Sequence, residues 1–113
     1  PLIEQILIIG DKRKFISALI VPNFEMIKNY AEENKIQYQN EAELVQNQKI
    51  NQLISNEINR LSADLARYEQ IKAFRLLPKM FTIQEGELTP TIKIKRKVVE
   101  QKFADLIESM YQD

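Results

Sequence analysis

The stretch EQILIIGDKRKFISALIVPN, residues 4–23, sets two apolar runs on either side of a charged turn. Residues 6–9 and 15–21 are rich in β-branched and leucine side chains. Between them GDKRK supplies a glycine, an aspartate and charges suited to a tight connection, which predicts a β-hairpin. Both runs are nearly continuous in apolar residues rather than alternating, so both strands are expected to be buried on both faces. Lys12, Arg13 and Lys14 are expected to form a solvated hairpin tip.

Downstream, Pro22 ends the second strand because it cannot extend a ladder. Asn23 is placed to cap a helix over residues 24–34, with Phe24, Ile27 and Tyr30 on one side. Asn40 with Glu43 three residues later resembles a capping box opening a longer helix. Along it Ile50, Leu53, Ile54, Ile58, Leu61 and Leu65 recur at spacings of three and four, one stripe on a helical period. VQNQ, residues 45–48, holds poorer helix formers, so a break is expected near it. In LARYEQIKAF, residues 65–74, the side chains of Leu65, Tyr68, Ile71 and Phe74 are expected to pack the helix end against a third strand, and Arg67 is placed to pair with Glu69. That strand covers about residues 72–77 and is closed by Pro78. KMFTIQEGELTP, residues 79–90, reads as an exposed connection turning at Gly86. A last helix over 97–111 buries Val99, Phe103, Leu106, Ile107 and Met110. Strands and helices are segregated, which predicts an α+β fold: a small sheet of about three strands, the hairpin plus a later strand, packed with helices.

Composition narrows the chemistry. The chain has 113 residues, the size of one domain, with 44 % hydrophobic residues. Gly10 and Gly86 are its only glycines, so no glycine-rich phosphate loop can be built. Cysteine and histidine are absent, which removes disulfides, thiolate catalysis and the commonest general base and metal ligand. No metal site is expected. No apolar run approaches the ~18 residues of a membrane span, and the first residues lack a basic start and a cleavage site. A cytoplasmic setting is expected. A start on Pro1 without Met suggests a piece of something longer.

The 16 basic and 16 acidic side chains balance, yet TPTIKIKRK, residues 89–97, gathers Lys93, Lys95, Arg96 and Lys97 with no acid among them. A helix follows, and a helix N-terminus prefers anions; each cation there costs a few tenths of a kcal/mol, on the order of 0.3 or more. Local folding does not explain the cluster. An anionic partner does, a phosphate or carboxylate being the obvious candidate. A solvated charge run, nucleic-acid binding and an anionic membrane surface are the other meanings. Against nucleic acid, the rest of the chain adds no matching basic stripe. An extended backbone here puts Thr91, Lys93 and Lys95 on one face, with Ile92 and Ile94 on the other as anchors.

Four stretches, PLIEQILIIGDKRKFISALIVPNFE, NEINRLSADLARYEQIKAFRLLP, FTIQEGELTPTIKIKRKVVEQKF and ADLIESMY, together resemble the C-terminal domain of long-chain fatty acid–coenzyme A ligases, members of the adenylate-forming superfamily. GELTPTIKIKRK is the most specific; about residues 35–50 carry no resemblance. The likeness implies a ligase that joins a fatty acid carboxylate to ATP and then passes the acyl group to coenzyme A. It implies that residues 1–113 are a small lid swinging between two orientations, inactive alone. Their partner is a large N-terminal domain that holds ATP, magnesium and the acyl chain. That domain and the hinge would lie before Pro1. The superfamily sets its adenylation lysine in a serine–glycine–lysine–x–x–arginine pattern, which falls on Thr91, Ile92, Lys93 and Arg96. The catalytic role is thus carried to Lys93, with Lys95 as the alternative, and Thr91, Lys95 and Arg96 near the ATP phosphates. Ile92 in place of the glycine is expected to stiffen the loop. Arg96, Lys95 and Lys97 are expected to hold the loop or meet the partner domain.

The chemistry is consistent with that role. A carboxylate and a triphosphate repel each other, and a fixed ammonium between them lowers that repulsion without any proton transfer. Two other functions stay open: the lid of an adenylate-forming ligase for another carboxylic acid, and a non-enzymatic module using the basic loop on nucleic acid. Peripheral membrane contact of an intact enzyme also stays open.

Overall fold

In the computed structural model, which describes residues 1–112, the hairpin forms as β1 (Ile3–Ile9) and β2 (Ile16–Pro22). The strands pair antiparallel, with Ile6 opposite Ile20 and Ile9 opposite Ser17. A third strand, β3 (Ile71–Leu76), adds parallel to β2, Ala18 facing Phe74 and Ile20 facing Leu76. The order is β1-β2-β3, so β2 is central. Parallel pairing requires a long crossover. Three helices supply it: α1 (Phe24–Glu33), α2 (Glu41–Leu44) and α3 (Gln48–Leu61). A 3-10 turn, Arg67–Glu69, leads into β3. After β3 the chain runs through a long loop to α4 (Arg96–Lys102) and α5 (Ala104–Ser109). The α+β class and the three-strand sheet are as expected.

The central strand divides two cores. Ala18 and Ile20 point to one face, where Ile27, Ala31, Leu44, Ile50, Ile54 and Ile58 cover them. Leu19 and Val21 point to the other, against Leu77, Phe81, Leu88, Val99, Ile107 and Met110. Two-sided burial therefore holds for β2. It fails for β1, an edge strand: Leu7 and Ile9 face inward, while Ile8 is exposed.

The caps follow the sequence. Asn23 accepts the Met26 N–H, and Asn40 accepts the Glu43 N–H. The helix that Asn40 opens is a single turn. Asn47 then caps a new start by accepting from Lys49 and Ile50, so the break falls where VQNQ put it. The expected stripe is buried at Ile50, Ile54 and Ile58 only. Leu61, Leu65 and Tyr68 are exposed, because α3 ends at Leu61 and the residues that lead from it to β3 run over the surface. Glu69 bonds the Ala66 N–H rather than Arg67. The expected last helix is two, broken at Phe103 (φ −110°, ψ 25°), and the bend aims Val99 and Ile107 into one core. The connection over 79–90 is not simply exposed, since Phe81, Glu87 and Leu88 are buried.

The hairpin tip is also tied down. Arg13 bonds Glu108 at 2.6 Å and lies 4.7 Å over the Tyr111 ring. Tyr111 stacks on Phe15 (4.6 Å), and its hydroxyl lies 2.8 Å from the buried Ser17 hydroxyl and donates to the Phe15 carbonyl at 2.9 Å. The stretch after α5 is thereby fastened to the start of β2. Tyr111→Phe keeps the stack but strips Ser17 of its partner in a dry place. It should lower stability by about 1–3 kcal/mol, read as a shift in the urea midpoint at unchanged m-value.

Candidate functional site

The basic loop is a miniature hairpin, not an extended strand. The Glu87 carbonyl accepts the Lys95 N–H at 2.8 Å, Thr89 N–H donates to the Lys93 carbonyl at 2.8 Å, and Leu88 bridges Ile94 antiparallel. Between these arms Pro90 and Thr91 occupy the centre of a turn closed by Ile92 N–H on the Thr89 carbonyl at 2.8 Å. Proline suits the first central position because its φ is preset. Ile92 follows with φ +67°. A turn followed by one left-handed residue is a standard three-residue hairpin loop, and glycine is the usual occupant of that last position. The Thr89 hydroxyl locks the turn from inside, accepting the Lys93 N–H at 3.1 Å and meeting the Thr91 hydroxyl at 3.1 Å.

This geometry corrects the simple alternation. Chain reversal at Ile92 removes Thr91 and Ile92 from the strand, so Ile92 is 63 % exposed and anchors nothing. From Lys93 onward the alternation holds. Ile94 packs on the core that contains Leu88 and Val99, while Lys93 and Lys95 are exposed.

Lys95 occupies the N-cap of α4 without a side-chain capping bond, and no acid stands in the first turn. Arg96 points back across the domain: it donates to the Ile8 carbonyl on β1 at 2.7 Å and approaches Glu100 at 3.6 Å. Lys93, Lys95 and Lys97 form no ion pair among the described residues. The loop thus exposes Thr91 at its turn and Lys93 and Lys95 on the arm that follows, and directs Arg96 elsewhere.

Two further residues, Glu87 and Lys102, hold the base of the hairpin. The Glu87 carboxylate accepts the Thr82 N–H at 3.1 Å and the Lys102 ammonium at 3.0 Å, and Glu85 reaches the same ammonium at 3.4 Å. The bond from Glu87 holds the Lys102 pKa above its ordinary value. No local signal in the sequence announces this pair, because the partners are 15 residues apart and meet only through the course of α4. Glu85, Glu87 and Lys102 also line a cleft of about 740 Å³, whose apolar walls come from Phe24, Leu77, Met80 and Phe103. None of the basic-loop residues lines it. Arg96 lines a smaller hollow of about 370 Å³ beside Ile8, Gly10 and Arg13.

Residues 1–113 match the family model of the AMP-binding enzyme C-terminal domain. The chain is 38 % identical over 112 residues to the long-chain-fatty-acid–CoA ligase FadD15 of Mycobacterium tuberculosis, covering 98 % of this chain and 19 % of that protein. It is 33 % identical to human long-chain-fatty-acid–CoA ligase 6, covering 96 % of this chain and 16 % of that protein. The chain therefore spans less than a fifth of these relatives. Among solved structures, the adenylation domain of a carboxylate reductase from Mycobacterium chelonae superposes with a TM-score of 0.77 at 24 % identity, over 100 % of this chain and 16 % of that one. The carboxylic acid reductase A-PCP didomain of Segniliparus rugosus, solved with AMP, gives 0.76 at 22 %, over 98 % of this chain and 14 % of that one. These two likenesses speak for the fold.

The left-handed isoleucine can be tested directly. A non-glycine residue held at positive φ costs about 1–3 kcal/mol, and glycine loosens the unfolded chain by about 0.4–1 kcal/mol. Ile92 has little buried surface to lose. Ile92→Gly should therefore raise stability by about 1 kcal/mol in urea unfolding. A fall of that size would mean that the side chain, not the backbone, governs the turn.

Proposed function

The chain belongs to the family of AMP-binding enzyme C-terminal domains, and on that premise we propose that it is the lid of an ATP-dependent long-chain fatty acid–coenzyme A ligase. Its partner is a larger N-terminal domain, joined by a hinge, that holds ATP, the acyl chain and coenzyme A. The names of FadD15 and of the human ligase favour a long-chain fatty acid as substrate. No helix among the described residues is long and apolar enough to cross a membrane.

One observation carries the mechanism. Lys93 stands just past the turn of a hairpin whose base is bonded to the core, and its ammonium has no acid partner among the described residues. Its charge is free to meet an anion. Adenylation joins a fatty acid carboxylate to the α-phosphate of ATP and expels pyrophosphate. Negative charge gathers on the phosphate oxygens, and a fixed ammonium beside them stabilises the transition state more than the separate reactants. Charge stabilisation of this kind is worth about 3–4 kcal/mol. Delivery on a swinging lid lets the ammonium act only in the closed site. Thr91 and Lys95 flank it toward the phosphates, and Arg96 secures the loop to β1. No group of three acidic side chains that could hold a metal comes together among the described residues; magnesium would enter with ATP on the larger domain.

In the full-length enzyme, Lys93→Ala should lower adenylation by roughly 10²–10³-fold, while thioester formation from supplied acyl-adenylate stays within about twofold. Equal loss of both half-reactions, or of neither, rejects the role. Should Lys95→Ala give the split instead, the role moves to Lys95.

A further inference from the structure

Glu87 is the one charged side chain buried among the described residues, 3 % exposed. It is bonded in four directions. Its carboxylate accepts from Thr82 N–H and from Lys102, its own N–H donates to the Thr82 carbonyl at 3.1 Å, and its carbonyl accepts from Lys95 N–H at 2.8 Å. Burying a carboxylate costs free energy, and a partner as exposed as Lys102 (41 %) offsets only part of that cost. The neighbours Phe81, Leu88 and Val99 show that apolar residues fill this region readily. Stability alone therefore does not account for a carboxylate here.

Geometry does. The two-bond hairpin that carries Lys93 is too short to hold a shape unaided. Ile94 pins one point of it to the core. Glu87 pins the other, and its carboxylate ties that point at once to the turn at Thr82 and to α4 through Lys102. We propose that Glu87 is a positioning residue for adenylation: it fixes the base of the hairpin on α4, and so sets the distance and direction at which the Lys93 ammonium is presented. The inference rests on Lys93 as the adenylation lysine.

The test uses the full-length enzyme with Glu87→Gln, Lys102→Met and the double variant, beside Lys93→Ala. Glutamine can still accept from Thr82 but loses the charge that grips Lys102. Misplacement of a catalytic group by about 1 Å can cost 10²-fold in rate. Glu87→Gln and Lys102→Met should each lower the adenylation kcat by roughly ten- to a hundredfold, with KM for ATP and fatty acid little changed. The double variant should be no slower than the slower single. Amide hydrogen exchange at Thr89 and Lys95 should quicken in all three, and thioester formation from supplied acyl-adenylate should persist. If Glu87→Gln does not fold, Lys102→Met decides, since its side chain lies at the surface. Unchanged adenylation in a protein where Lys93→Ala abolishes it would overturn this inference alone. Equal loss of both half-reactions would reduce Glu87 to a structural part and overturn it too. Full adenylation in Lys93→Ala would overturn the reading beneath it.

Discussion

The fold depends on burying one strand from both sides. Ala18, Leu19, Ile20 and Val21 are each fully inaccessible, so alternate side chains of β2 need two separate covers. A fully buried aliphatic side chain contributes about 1.5–3 kcal/mol, but only if both covers are in place. One cover is the crossover of α1, α2 and α3. The other is built from the loop after β3 together with α4 and α5. Neither can be removed without exposing half of the strand. The loop carrying the basic cluster belongs to the second cover, so its position is a consequence of core packing.

That origin explains why the loop is held in place. Phe81 and Leu88 sink into the core at either end of the turn containing Gly86. The Gln5 side chain adds a strand-like contact, accepting the Phe81 N–H at 2.7 Å and donating to its carbonyl at 3.3 Å. From these fixed points only residues 89–93 project. The projecting turn is internally bonded through Thr89 and bent by a left-handed isoleucine. A short arm on a fixed base can present a side chain with little search, as the adenylation role proposed for Lys93 requires.

Much of this was legible in the sequence where the signal is local. Asn23, Asn40 and the break at residues 45–48 followed from capping chemistry and propensity. The hairpin followed from two apolar runs about GDKRK. Two kinds of feature were not legible. One is sheet order: residues 6–9 and 15–21 look alike in composition, and only the arrival of β3 beside β2 makes the second strand central and leaves Ile8 at an edge. The other is anything made by distant partners, such as Arg13 with Glu108, Ser17 with Tyr111, or Glu87 with Lys102. Within the basic loop, the pattern singled out Lys93, Lys95 and Arg96 as candidates. It could not show that Ile92 adopts a glycine-like φ, because nothing in the residue itself favours that conformation.

The pattern of pairing around the site bears on why the lysines are there. Arg96 and Lys102 lie on the same short segment as Lys93, Lys95 and Lys97. The first two are bonded within the domain, to Ile8, Glu100 and Glu87; the other three are exposed and have no ion-pair partner among the described residues. At 4 Å, two opposite charges attract by about 1 kcal/mol in water and about 4 kcal/mol near a protein surface of lower effective dielectric. An outward lysine therefore contributes little to an open domain and much once a second surface excludes the water around it. Stability of the isolated domain would favour pairing these ammonium groups locally. Leaving them without a partner costs almost nothing while water surrounds them, and it keeps their electrostatic effect for a second surface, as the lid role proposed for this domain requires.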